Sequence, residues 1–366
     1  MRILIDLTSL IYHITGIERF AICVSQKLLC IDKKNEYVLL FNKEIHKLLL
    51  PLVDNKRIFA YVFNCKSKLF LFQVALPILL YLIKGDRYLF FAFPCPMLFK
   101  SKGVFSTIHD MGPWEAPYAF SYLQKLYLKI STRFAVYNSQ GIITVSQFSK
   151  NRISEILRVK TDKINVVYSG VNDRLTENWD LWEKVKSNYV LPEKYILALS
   201  TFEPKKNLLL LLSAFLNVEE YVDYDIVLVG RNGWKTKEIF KSIKNEKRVH
   251  VTGFVEDSSL PEIYRHALCF IFPSKYEGFG LPPVEALSFG TPVIASDAAS
   301  IPEVLGQQAT YFQNDSIDEL SKLLLDLEKL VPHMATCLSP KQRELYDFNT
   351  VAKAILDIIS RDFSDK

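Results

Sequence analysis

The sequence has no cysteine pair at metal-ligating or redox spacing. Its six cysteines, Cys23, Cys30, Cys65, Cys95, Cys269 and Cys337, are scattered over 366 residues. That pattern argues against a structural zinc site or a disulfide framework and fits a reducing cytoplasm. Nor does the chain show the roughly 20-residue apolar run that a spanning helix needs. Its nearest approach, residues 69–83 (LFLFQVALPILLYLI), is fifteen residues long, contains Gln73 and Pro77, and is fenced by Lys68 and Lys84. There is no G-x-G-x-x-G dinucleotide fingerprint, no Ser-His-Asp hydrolase elbow, no tandem repeat and no low-complexity tract. The run GRNGWKT, residues 230–236, has the wrong glycine and lysine spacing for a P-loop. No nucleic-acid reading motif is present, so no nucleic-acid partner is expected. The opening MRILIDL enters a strand-like run directly, and no signal peptide is expected.

Apolar residues make up 49% of the chain, enough for two cores. Charge is divided unevenly. Residues 1–174 carry 24 Lys and Arg against 12 Asp and Glu, whereas 175–366 carry 21 against 28. The basic first half predicts an anionic partner, and an ordinary solvated face is the plainer alternative. Strand-like runs stand at Arg2–Leu7, Tyr37–Phe41, Ile58–Phe63, Tyr88–Phe93, Val104–His109, Gly141–Ser146 and Ile164–Ser169. Five more follow at Tyr195–Ser200, Asp225–Gly230, Val249–Phe254, Cys269–Ser274 and Pro292–Ser296. Continuous apolar runs alternating with helical stretches predict parallel sheets, hence two doubly wound α/β domains. The boundaries expected are a first domain over 1–172, a linker over 173–190 and a second domain over 191–346. A last helix over 347–366 is expected to cross back to the first domain. Residues 69–83 read either as a buried helix or as an interfacial one. Neighbouring basic residues, among them Lys125, Lys129 and Arg133, favour anionic lipid.

The chemistry concentrates between 200 and 306. Segment 273–296, PSKYEGFGLPPVEALSFGTPVIAS, leaves a strand, passes a glycine loop and enters a helix near Pro282 and Pro283. Backbone amides around Phe279, Gly280 and Leu281 would favour an anion such as a diphosphate. Glu277 and Glu285 stand eight positions apart, and a carboxylate here can accept hydrogen bonds from sugar or ribose hydroxyls. The D-x-D string at Asp223 and Asp225 precedes a strand, the wrong end for a ligand in an open α/β sheet, so no metal is expected.

These residues resemble the E-x7-E motif of retaining GT-B glycosyltransferases of family 4. The resemblance implies a GT-B fold, two Rossmann-like domains facing across a cleft. It also implies that Glu277 lies by the transferred sugar and Glu285 binds the nucleotide ribose. STFEPKKN, residues 200–207, is similar to the family's G-x-x-E-P-x-K-N loop, which gives Lys206 the donor diphosphate. Ser200 stands where a glycine is usual, and the loop lacks the family's arginine, for which Arg231 is the candidate replacement. VTGFVED, residues 251–257, resembles the segment flanking the nucleobase, and SIPEVLG, 300–306, the one packed behind the donor pocket. In the first domain TGIER, 15–19, resembles the glycine loop after the first strand, with Gly16 close to donor or acceptor. His109 and Asp110, ending the run TIHD, are candidates for sugar contact and for orienting that contact or the acceptor. Ser146 and Ser149 are expected to cap a helix.

The family implies transfer with retention, the departing phosphate itself taking the acceptor proton. The motif forms look most like bacterial mannosyltransferases, which favours GDP-mannose, with UDP-sugars and dTDP-rhamnose open. A lipid-linked saccharide acceptor is expected, with peripheral contact to anionic lipid on the cytoplasmic face of the inner membrane and no cofactor. A nucleotide-sugar epimerase and a non-catalytic partner subunit are the alternatives from other classes.

Overall fold

The computed structural model describes residues 1–10, 16–53, 56–171, 181–233, 236–244 and 246–361. The chain divides into two compact units. One comprises Met1–Trp114, Phe120–Gly170 and Glu344–Lys366, and the other Glu115–Ala119 and Val171–Arg343.

Among the described residues the first unit holds a seven-stranded sheet. Its strands are β1 (Arg2–Leu7), β2 (Glu36–Asn42), β3 (Ile58–Phe63), β4 (Arg87–Phe90), β5 (Val104–Thr107), β6 (Gly141–Thr144) and β7 (Ile164–Val166). They lie in the order β3-β2-β1-β4-β5-β6-β7, every pairing parallel. The order reverses between β1 and β4, where Ile3 faces Tyr37 on one side and Arg87 on the other. The second unit repeats the plan with β8 (Tyr195–Leu199), β9 (Asp225–Val229), β10 (Val249–Gly253), β11 (Cys269–Phe272), β12 (Val293–Ser296) and β13 (Ala309–Phe312). Their order is β10-β9-β8-β11-β12-β13, again parallel, with the reversal between β8 and β11.

Burial explains which strands the sequence shows. β5, β6, β11 and β12 are buried at every position, as strands covered by helices on both faces must be. Edge strand β13 (ATYF) buries only Phe312 and was not expected from sequence, since it lacks an apolar run. Several expected strands end two or three residues early. The Gly141 run stops at Thr144, and Ser146 instead caps helix Gln147–Leu157 by accepting from the Ser149 amide.

One expectation needs correction, and one left open gains detail. The stretch 173–190 is not linker from position 182 onward, because Trp182–Tyr189 is a helix. Only Val185 of it is buried, so its sequence reads as polar, but Trp182 stacks on His266 with ring centroids 3.7 Å apart. Residues 172–180 lie outside the described residues. Segment 69–83, expected as either buried or interfacial, is divided by face. Helical turns Lys68–Phe70, Leu71–Ala75 and Leu76–Ile83 run on continuously, and Pro77 does not break them. The turn before Pro77 is a π-turn in which Leu76 N–H reaches back to Leu71 O, and that register accommodates the ring. Leu71, Leu76 and Leu80 point into the core, while Leu69, Phe70, Ile78 and Leu82 are exposed. Among the described residues no helix is long and apolar enough to cross a membrane.

Helix Phe348–Ser360 starts at Asp347, whose carboxylate accepts from the amides of Asn349 and Thr350. It packs on helix Gly16–Ile31 within the first unit.

Candidate functional site

In the second unit the loops after β8, β11 and β12 converge at the carboxyl ends where the strand order reverses. That is where an open α/β sheet takes a ligand. The loop after β8 makes a single 3-10 turn, Pro204–Lys206, and Asn207 closes it in the left-handed region at φ 55°. Lys275 N–H donates to Lys205 O at 2.8 Å and ties this loop to the one after β11. The pairing that results is short: Lys206 Nζ donates to Glu277 Oε1 at 2.6 Å, with both side chains largely buried. Burial alone would push the Glu277 carboxyl up. The Lys206 and Lys205 cations outweigh it and hold the group below the usual carboxylate range. Glu277 is therefore an anion in a cation-lined loop. Ser300 Oγ donates to Glu277 O at 3.0 Å, so the segment starting helix Ile301–Leu305 fixes the backbone that carries it.

Helix Leu281–Ser288 opens from Gly280, whose φ of 92° is a left-handed conformation that favours glycine. A Cβ there would stand 3.3 Å from the Phe272 ring. Pro282 and Pro283 carry no N–H, so the first turn offers the Leu281 amide toward whatever lies beyond it. Phe279 is buried against this loop. Glu285, one turn into the helix, is buried and accepts from Tyr264 OH at 3.3 Å. Tyr264 is held in turn by Thr291 Oγ1, which donates to its carbonyl at 2.6 Å.

Arg231 follows Gly230, whose φ is 147°; a Cβ on Gly230 would collide with Ser200 O at 1.7 Å. The Arg231 guanidinium lies 4.2 Å from the centroid of the Phe254 ring, in the VTGFVED segment. The structure thus joins Lys206 to Glu277, Glu285 to Tyr264 and Arg231 to Phe254. Asp223 and Asp225, at the amino end of β9, are engaged elsewhere. Asp223 accepts from Lys194, and Asp225 pairs with Arg248 at 3.1 Å and His250 at 2.7 Å.

In the first unit His109 stands two residues beyond β5. Its Nε2 lies 2.8 Å from Phe91 O, and its ring packs edge-on against Phe20. A carbonyl only accepts, so Nε2 carries the proton. Burial lowers the pKa of this ring, which keeps it neutral and leaves Nδ1 as an acceptor. Asp110 does not orient His109 by a hydrogen bond among the described residues; its Oδ1 accepts from Gly112 N at 2.7 Å and shapes the turn into Gly112–Glu115. Gly16 is the exposed first residue of its helix, with open space where a Cβ would be. Thr15 of the same motif lies outside the described residues.

Sequence reasoning did not single out Tyr264, which holds Glu285, or the Ser300 hydroxyl. Tyr264 has no sequence signal, since its partner is 21 residues away on another element. Lys205 was visible as half of a lysine doublet.

Two family models match the chain, Glycosyltransferase Family 4 over residues 86–175 and Glycosyl transferases group 1 over residues 182–339. O-antigen chain mannosyltransferase B of Escherichia coli is 30% identical over 227 residues, 60% of this chain and 60% of that protein. The chain therefore matches less than two thirds of that relative's length. O-antigen chain mannosyltransferase RfbU of Salmonella typhimurium is 28% identical over 68% of this chain and 67% of its own. Among solved structures, Anabaena Alr3699/HepE in complex with UDP-glucose superposes with a TM-score of 0.75 at 18% identity, over 98% of this chain and 99% of that one. WaaG, a glycosyltransferase involved in lipopolysaccharide biosynthesis, gives 0.70 at 14% identity, over 98% and 100%. Such likenesses show the fold, which is GT-B.

Proposed function

We propose that this chain, which matches the models of Glycosyltransferase Family 4 and of Glycosyl transferases group 1, transfers mannose from GDP-mannose to a lipid-linked saccharide, in building a cell-surface polysaccharide. The observation that carries the reading is the Lys206–Glu277 pair at the strand-order reversal of the second sheet. A fixed cation there neutralises the donor diphosphate as it leaves, and the Leu281 amide adds a second donor. Glu277 positions the transferred sugar, Glu285 accepts from the ribose, Arg231 adds a cation for the diphosphate, and the segment carrying Phe254 borders the nucleobase. In the first unit His109 accepts from a sugar hydroxyl through Nδ1, and Gly16 allows close approach. Transfer proceeds with retention, the leaving phosphate taking the acceptor proton, and needs neither metal nor cofactor. The mannosyl donor is supported by the relatives, which are O-antigen chain mannosyltransferases.

The first unit also meets anionic lipid. Tyr122, Leu123, Leu126, Ile130, Phe134 and Tyr137 form an exposed stripe along helix Tyr122–Asn138. Lys125, Lys129 and Arg133 stand beside it, and the helix carries no acidic residue. Apolar exposure flanked only by cations suits an anionic membrane surface.

Thermal-shift titration against GDP, UDP, dTDP and their sugar conjugates tests the donor. Selective stabilisation by GDP and GDP-mannose is expected. Stabilisation by UDP or dTDP compounds alone overturns the donor assignment.

A further inference from the structure

A second reversal point lies in the first sheet, between β1 and β4. A cavity of about 300 Å³ opens there, beyond the carboxyl ends of those strands. None of its lining residues belongs to the Lys206–Glu277 cluster. Its walls are chemically divided. Thr8 and Ser9, directly after β1, form a polar end with Glu18 and Lys68. Ser9 Oγ is buried and has no hydrogen-bond partner among the described residues, so it offers a bond to a polar head group. Most of the remaining wall is apolar, built from Leu71, Phe72, Phe93, Pro94 and Leu128, with Tyr127 and Ser131 as its polar members.

That wall is held open by its own bonds. Phe72 sits in the π-turn and meets Phe93 edge to face at 6.5 Å. Gln73, in the same turn, donates to Tyr127 OH at 2.9 Å and accepts from Met97 N at 3.0 Å. The turn is thereby tied both to helix Tyr122–Asn138 and to the loop after β4. Single π-turns inside α-helices recur at functional sites. At the mouth, the lining residues Leu69 and Phe93 are 61% and 40% exposed. Leu69 continues into the exposed apolar side of the 68–83 segment.

A nucleotide or a free sugar would leave these walls without a partner, whereas a hydrocarbon chain covers them. We propose that this cavity takes the hydrocarbon chain of an amphiphile, with its hydroxylated head at Thr8 and Ser9. The proposal deepens the lipid-linked acceptor reading and, for the identity of the amphiphile, rests on it. The same chemistry is offered by the chain of a bilayer lipid.

The test is calorimetric titration of the full chain with butyl and decyl α-mannosides, the latter kept below its micelle concentration. The decyl compound is expected to bind at least tenfold more tightly. L69Q/F93S, changed at the exposed mouth, should lose that preference. L123Q/Y137S, changed on the stripe and outside the cavity lining, should keep it. Equal affinity for the two mannosides overturns the proposal, and so does a preference that survives L69Q/F93S or vanishes in L123Q/Y137S. Should L69Q/F93S not fold, a decyl mannoside with a terminal diazirine decides on the unaltered protein. Labelling of the peptides carrying Phe72 and Phe93 supports the cavity, and labelling confined to residues 122–138 overturns it.

Turnover separates the sources. A KM that falls with acceptor chain length, and stops doing so in L69Q/F93S, assigns the chain to the acceptor. A KM independent of chain length, with activation by phosphatidylglycerol vesicles that L69Q/F93S abolishes, assigns it to a bilayer lipid. Failure of the transferase reading looks different: no transfer from GDP-mannose while the chain-length preference persists. Transfer with no such preference sinks the cavity alone.

Discussion

Asp6 on β1 and Glu277 after β11 are both buried carboxylates at the strand-order reversal of a parallel sheet, and the two sheets shift their pKa values in opposite directions. Burial pushes the Asp6 carboxyl up to about 6 from an ordinary 3.8, and two bonds from Thr8 offset this only in part. Glu277 suffers the same burial, but Lys206 and Lys205 reverse its direction. The same topology can therefore shift a buried carboxyl in either direction. The cations decide, not the fold. The ligands proposed differ accordingly, a diphosphate donor at one reversal point and an amphiphile at the other.

The sharpest way to break this contrast is to remove the charge on Glu277. In E277Q the turnover number should fall on the order of 100- to 1,000-fold with the melting curve still cooperative; a variant within threefold of the parent would remove Glu277 from the chemistry. Next in size is K206A. It strands a buried carboxylate, costing about 3 kcal/mol in urea unfolding, and should weaken donor affinity by at least tenfold in calorimetry. Unchanged donor affinity would separate Lys206 from the diphosphate.

The third comparison uses pH. The raised pKa of Asp6 means that the unfolded chain gives up this proton first. Its contribution to stability is then lost as pH rises from about 4 to 6, by about 3 kcal/mol. D6N should abolish that slope. Glu277 works in the other sense: its depressed pKa stabilises the fold above the ordinary glutamate range and is lost as pH falls below it. Urea melts from pH 3 to 8 on the parent, D6N and E277Q would show both slopes, and a D6N profile parallel to the parent would refute the first. The smallest effect belongs to R231A. Loss of its contact with Phe254 should cost about 1 kcal/mol of donor affinity, read as a shift of under tenfold in Kd.

How legible all this was depended on burial and on chain distance. Strands such as CFIF and VIAS are buried throughout and stand out as apolar runs, whereas edge strand ATYF and the helix from Trp182 hide because they bury one residue each. The Glu277 loop was legible because strand, glycine, prolines and helix follow one another in sequence. The Lys206–Glu277 bond crosses 71 residues, and Tyr264–Glu285 joins two different helices, so only folding brings those partners together. The Asp110 turn shows a local bond that is legible in sequence: its Oδ1 accepts from the amide two residues on.

The most direct measurement is transfer of labelled mannose from GDP-mannose into the lipid fraction of membranes that carry the acceptor, comparing the parent protein with E277Q. The account predicts label in the lipid fraction with the parent and almost none with E277Q. Label arriving only from a UDP- or dTDP-sugar, or equally with both proteins, would contradict it.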